Sequence, residues 1–167
     1  MFFKTERLFA TKLTIDDIIP FNEMQKNEKV MKYIIGRPKT YQENINELEK
    51  IICSYERIKS EFLIMAVVKK DVNQFVGTCA IVKNEDGEHE IGYRFIEKYW
   101  GNGYGKEIFA GLVTFAMKSF NLKCVVVYVN KDNYASVKIL DSSDFNFIKE
   151  FDEYETGSVI RYYKKTI

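Results

Sequence analysis

The sequence predicts an α/β domain of the mixed (α+β) kind, with a mostly antiparallel central sheet, one parallel βαβ pair and flanking helices. Three observations predict it. Apolar runs of strand length, Phe62–Val68 and Phe75–Val82, are separated only by the turn-like Lys70-Asp71-Val72-Asn73 and read as antiparallel neighbours. From Glu88 to Val129 the chain runs strand, glycine loop, amphipathic helix, strand. The last of these, Cys124–Val129, is apolar without alternation, as a strand covered on both faces is. Finally, 167 residues of which 46% are hydrophobic suit one domain spanning 1–167 with a sizeable core.

The elements follow in order. Thr5 to Leu13 is the first strand, with Leu8 and Ala10 on one face and Phe9 and Leu13 on the other. Thr14 reads as an N-cap ahead of Asp16 and Asp17, whose carboxylates suit a helix dipole, and this helix runs towards Asn27. Gly36-Arg37-Pro38 breaks the chain. Thr40 opens a second helix through about Lys59, with Ile45, Leu48, Ile51, Ile52 and Tyr55 at helical spacing. After the two apolar strands, Asn84-Glu85-Asp86-Gly87 is a hairpin turn into a strand from Glu88 to Ile96. The helix behind the glycine loop carries Phe109, Leu112, Val113, Ala116 and Phe120 on one side, widened by Ile108 and Phe115. A short helix from about Tyr134 to Leu140 and strands near Phe145–Phe151 and Val159–Lys164 complete the domain.

Composition narrows the function. Lysine plus arginine (25) nearly cancels aspartate plus glutamate (24), which disfavours nucleic acid as a partner. The apolar runs fall far short of the roughly 20 residues of a membrane span, and the opening Met1-Phe2-Phe3-Lys4 lacks the layout of a secretory signal. Cys53, Cys79 and Cys124 are widely spaced and odd in number, which fits reduced packing cysteines and no metal site. A cytoplasmic protein is the default expectation.

Gly101, Gly103 and Gly105 give a backbone free to take positive φ, placed just before a helix N-terminus whose unpaired N–H groups favour an anion. Lys106 adds positive charge there. A phosphate or pyrophosphate is the natural guest. A magnesium-dependent phosphate loop needs Ser or Thr after its lysine, yet Glu107 follows Lys106. A dinucleotide fingerprint needs a third glycine where Lys106 stands.

The run Trp100-Gly101-Asn102-Gly103-Tyr104-Gly105-Lys106-Glu107 resembles the acetyl-CoA pyrophosphate loop of the GNAT superfamily of N-acetyltransferases. The branch it resembles is that of the ribosomal-protein N-terminal acetyltransferases and their small-molecule relatives. Thr5-Glu6-Arg7-Leu8, Glu90-Ile91-Gly92-Tyr93 and Asn133-Tyr134-Ala135-Ser136 match that branch in order and spacing, so the likeness covers nearly the whole chain. It implies acetyl-CoA as co-substrate, with Phe95 and Ile96 meeting the pantetheine arm through main chain. It further implies that the amides of Gly101, Asn102, Gly103, Tyr104, Gly105 and Lys106 hold the pyrophosphate. Asn133 is both a candidate pantetheine contact and a candidate helix cap.

By the same resemblance an amine attacks the thioester directly in a ternary complex. Glu90 is the candidate base, although strand alternation with Glu88, Gly92 and Arg94 also allows an exposed sheet charge. For the departing thiolate, much of the superfamily uses a tyrosine where this chain has Leu140; the ribosomal branch points instead to Ser136. Asp144 stands where the family has glycine, which leaves the local turn open. Tyr134 lies off the usual position. His89, the single histidine, has no nucleophile elbow to serve and reads as a strand-face side chain; Glu85, Asp86, Glu88 and Glu90 read as a solvated hairpin. The acceptor is a protein N-terminus or a small-molecule amine, bound under the first two helices by a monomer or homodimer. The alternative is a non-catalytic acyl-CoA-binding or interaction module of the same fold.

Overall fold

The computed structural model describes residues 1–58, 61–154 and 156–167. Their strands are β1 (Phe3–Lys4), β2 (Leu8–Thr11), β3 (Phe62–Lys69), β4 (Gln74–Lys83), β5 (His89–Phe95), β6 (Cys124–Asn130), β7 (Asn146–Glu153) and β8 (Ser158–Thr166). They form one sheet in the order β1-β2-β3-β4-β5-β6-β8-β7. Every pairing is antiparallel except β5 with β6, the pair joined by the crossover helix. The helices are α1 (Ile18–Gln25), α2 (Glu28–Met31), α3 (Tyr41–Ser54), α4 (Tyr104–Ser119) and α5 (Tyr134–Asp141).

Two expectations are corrected at the N-terminal end. Thr5 to Leu13 is not one strand: the Thr5 N–H donates to the Leu8 carbonyl at 2.9 Å, closing a tight reversal between β1 and β2. The first helix stops at Gln25, and Asn27 caps a separate single turn, its side chain accepting from the amides of Lys29 and Val30. Four residues carry too little periodicity for such a turn to be read in advance. The second helix opens at Thr40 as expected, where the Glu43 amide donates to the Thr40 hydroxyl and the Thr40 amide to the Glu43 carboxylate. It gives way at Tyr55 to a 3-10 turn ending at Arg57, and Lys59 lies outside the described residues.

Alternation along β5 separates the two sides of the sheet. Tyr93 and Phe95 point towards α4, where their rings meet Phe109 and Tyr104. Arg94 points the other way, to Gln25 of α1. On the α4 side Phe3 stacks on Phe115 at 5.2 Å between centroids. On the other side Phe21, Met24, Leu48 and Ile51 are fully buried against the sheet, each contributing about 1.5–3 kcal/mol by removal from water. Cys79, opposite Tyr93, is buried on the α4 side of the sheet, whereas Cys53 is exposed, so not all three cysteines serve packing. No described helix is long and apolar enough to cross a membrane.

Candidate active site

The site begins where the sheet parts. β5 and β6 share a single parallel bridge, Glu90 with Val126, and β5 then runs on to Phe95 paired only with β4. The Ile96 N–H donates to the Val76 carbonyl at 3.0 Å, so Ile96 and Arg94 turn their main chain towards β4. By the same alternation Tyr93 and Phe95 turn theirs into the gap beside β6. The Trp100 indole N–H takes the Phe95 carbonyl at 2.9 Å. The main-chain groups facing the gap thus belong to Tyr93 and Phe95, and the expectation for Ile96 gives way because its amide is bonded within the sheet.

The loop after β5 is held from both sides. Gly101 and Gly103 have φ of 77° and 76°, left-handed values that favour glycine, and Gly103 is the N-cap of α4. No side chain caps this end, so the first amides of α4 keep their capacity for an anion. The Asn102 carboxamide folds inwards, donating to the carbonyls of Tyr99 (3.0 Å) and Trp100 (3.1 Å).

Arg7 reaches the loop from the β1–β2 turn. Its Nη1 donates to the Asn102 carbonyl at 3.0 Å, its Nε to Glu107 at 2.7 Å, and its guanidinium lies 4.7 Å over the Tyr104 ring. The Thr5 hydroxyl and the Arg7 amide also donate to Glu107, at 2.6 and 2.7 Å. Burial works against the Glu107 charge, but these bonds prevail and hold its carboxyl below the usual range. The Thr5-Glu6-Arg7-Leu8 motif, expected as a plain strand, is therefore a clamp on the loop. Only its likeness to the family's opening strand marked it in advance.

Two cavities meet at the parting of the strands. One, of about 810 Å³, is lined by Phe95, Gly101, Gly103, Tyr104, Gly105, Lys106, Asn133 and Ser136 among others. The second, of about 320 Å³, runs between Glu90, Gly92 and Val127 and reaches Phe21 and Glu47 of the α1–α3 layer. Tyr93, Arg94, Asn133 and Ser136 line both. Asn102 and Ile96 line neither; they shape the loop and the strand end.

Glu90 is half-buried in the smaller cavity, and burial raises its carboxyl to about 6. The solvated-hairpin expectation fails for it and for Glu88, whose carboxylate accepts from Tyr128, Tyr162 and Lys164 at 3.1, 2.7 and 2.9 Å. His89 lines neither cavity. Asn133 is the N-cap of α5, its side chain accepting from the Ser136 amide at 3.4 Å, and it faces both cavities as well. The Ser136 hydroxyl lies 3.5 Å from the Tyr93 hydroxyl. The Tyr93 side chain, marked in the sequence only as part of the Glu90-Ile91-Gly92-Tyr93 match, lines both cavities. Leu140 is in the core at 2% exposure, and Tyr134 is 74% exposed. Asp144 is tied by an ion pair to Lys165, which fixes the turn where the family has glycine.

Comparison with known proteins agrees with this geometry. The acetyltransferase (GNAT) domain model matches residues 7–146. The uncharacterized N-acetyltransferase p20 of Bacillus licheniformis is 28% identical over 145 residues, covering 84% of this chain and 80% of that protein. A GNAT-family acetyltransferase from Bacillus anthracis superposes with a TM-score of 0.87 at 22% identity, over 99% of this chain and 98% of that one. RimL, the ribosomal L7/L12 alpha-N-protein acetyltransferase solved with coenzyme A, superposes with a TM-score of 0.81 at 16% identity, over 98% and 96% of the two chains. The chain belongs to the GNAT acetyltransferase family.

Proposed function

We propose that this protein transfers an acetyl group from acetyl-CoA to a primary amine, by direct attack within a ternary complex. The observation that carries the reading is the parting of β5 and β6. It opens a continuous space from the uncapped N-terminus of α4, past the main chain of Tyr93 and Phe95, to the raised carboxyl of Glu90. An elongated substrate with an anionic pyrophosphate and an amide-rich arm suits that space. The anion would meet the amides between Gly101 and Lys106, and the arm would meet the strand edge at Tyr93 and Phe95, with Asn133 opposite.

Glu90 would accept the proton that the amine loses as its nitrogen bonds the acetyl carbon. The carbon–sulfur bond then breaks, and the departing thiolate takes a proton or hydrogen bond from Ser136 or Tyr93, the hydroxyls nearest the parting. Leu140, an alkyl side chain buried where much of the superfamily has tyrosine, favours Ser136 and Tyr93 for that task; it is also the feature that would suit a binding module without turnover.

Isothermal titration with acetyl-CoA, ATP and NAD, followed by thiol-release assays over an amine panel, tests the reading. Micromolar affinity for acetyl-CoA and amine-dependent thiol release are expected. Absence of acetyl-CoA binding would overturn the proposal, and binding without release on any amine would favour the module.

A further inference from the structure

The smaller cavity contains a cation that the transfer chemistry does not use. Arg94 leaves β5 on the same face as Glu90, with Gly92 between them, and a Cβ built on Gly92 meets nothing within 4 Å. Strand rise separates the Cα atoms of Glu90 and Arg94 by about 13 Å, so a glycine-made opening lies between a carboxylate and a guanidinium. Arg94 Nη1 donates to the side-chain Oε1 of Gln25 at 2.6 Å. Gln25, fully buried, donates in turn to Asn44 at 3.1 Å and to Glu47 at 2.8 Å, and Asn44 donates to Asn22 at 2.9 Å.

This amide network fixes the guanidinium but does not neutralise it. The carboxylate nearest through the network, Glu47, is ion-paired with Lys39, and among the described residues none pairs directly with Arg94. Burial works against the Arg94 charge, with Glu47 opposing that effect from a distance. Among the described residues no carboxylate bonds Arg94, so the donors that Gln25 does not take are open to an anion in the cavity, and the planar fork of arginine matches oxyanions two bonds at a time.

We propose that Arg94 is the acceptor-recognition residue, and that the amine acetylated here carries an oxyanion, a carboxylate or a phosphonate-like group, at its other end. The proposal rests on the acetyl-transfer reading. Within it, the amine lies towards Glu90 and the strand parting, and the oxyanion lies against Arg94. A cavity of about 320 Å³ suits a small amino-acid-like molecule. A polyamine, with a second ammonium in that place, meets like charge.

Matched amines test it on the intact wild-type protein by thiol release: β-alanine against ethylamine, 4-aminobutyrate against propylamine, 2-aminoethylphosphonate against ethylamine, with spermidine as the polyamine. At least a tenfold higher kcat/KM for one anionic member over its partner is expected, and the carboxylate and phosphonate arms tell which oxyanion fits. In Arg94→Gln that ratio should fall towards one; in Arg94→Lys part of it should survive. If Arg94→Gln does not fold, the wild-type ratios still decide. Equal turnover within every pair, or a preference for spermidine, overturns the assignment of Arg94 while leaving acetyl transfer standing. Thiol release from no amine at all overturns the underlying reading, and this one with it.

Discussion

The hydroxyls of Tyr93 and Ser136 lie 3.5 Å apart across the gap where β5 leaves β6, one from a strand and one from the first turn of α5. They are two proton donors at one place, which the buried Leu140 cannot be. Ser136→Ala is expected to lower kcat by ten- to a hundredfold, the loss of about 1.5–3 kcal/mol for a hydrogen bond to a charged group. Acetyl-CoA affinity measured by titration should change less than threefold. If affinity and kcat fall together, Ser136 is a positioning residue. Tyr93→Phe combined with Ser136→Ala should cost less than the sum of the single changes, since both serve the same sulfur.

Glu90 gives a pH dependence of known sign. Its carboxyl is raised from 4.5 to about 6 by burial, so kcat/KM for a given amine should show a limb that climbs to about pH 6, and Glu90→Gln should lose that limb. The folded state binds the extra proton between those values. The associated stability is therefore present below about pH 4.5 and lost as pH rises through about 6. At pH 8 Glu90→Gln should be more stable than wild type, by up to about 2 kcal/mol, and should therefore melt at a higher temperature. A lower melting temperature at pH 8 would sink the desolvation account.

Gly103 has φ of 76° at the N-cap of α4. Gly103→Val strains that backbone by about 1–3 kcal/mol and closes the approach to the helix amides. Affinity for acetyl-CoA should drop by a hundredfold or more, while circular dichroism still reports a folded chain. Unchanged affinity refutes the loop as the pyrophosphate cradle.

Arg7 sits beside the loop, not in it. Arg7→Ala frees the Asn102 carbonyl, uncovers Tyr104 and removes one of the three donors on Glu107, because the Arg7 amide and the Thr5 hydroxyl persist. A rise of about tenfold in the acetyl-CoA dissociation constant is expected, with kcat at saturation little changed. Glu107→Gln should behave alike, and a kcat loss without an affinity loss would contradict the clamp.

Much of this was legible in the sequence. The glycine loop, the βαβ crossover and the turn at Asn84–Gly87 are local patterns, and local patterns survive into the fold. Ser136 and Glu90 were reached through likeness and placed at the cavities by the structure. What escaped was non-local. Arg7 and Glu107 are 100 residues apart, and no spacing rule joins them. Tyr93 stood only as the end of a matched motif, because alternation assigns a face and not a cavity. Ile96 was misjudged by one residue because the ladder phase, which decides whose amide faces the gap, depends on pairing with Val76. Gln25 and Asn44, polar residues at 0% exposure, gave no signal until the cation they hold was in view.

The bonds from the Thr5–Arg7 turn to Glu107 also bear on how the molecule is made. On the ribosome the turn emerges first and waits for about a hundred residues of chain before its partner arrives. Closing so long a loop is entropically unfavourable and gains its contacts only once the intervening strands have assembled. The cradle before α4 is therefore among the last features to acquire its final shape. On the proposed reading, a nascent chain would gain affinity for acetyl-CoA only near the end of folding, and the bound cofactor would draw the final docking step to completion.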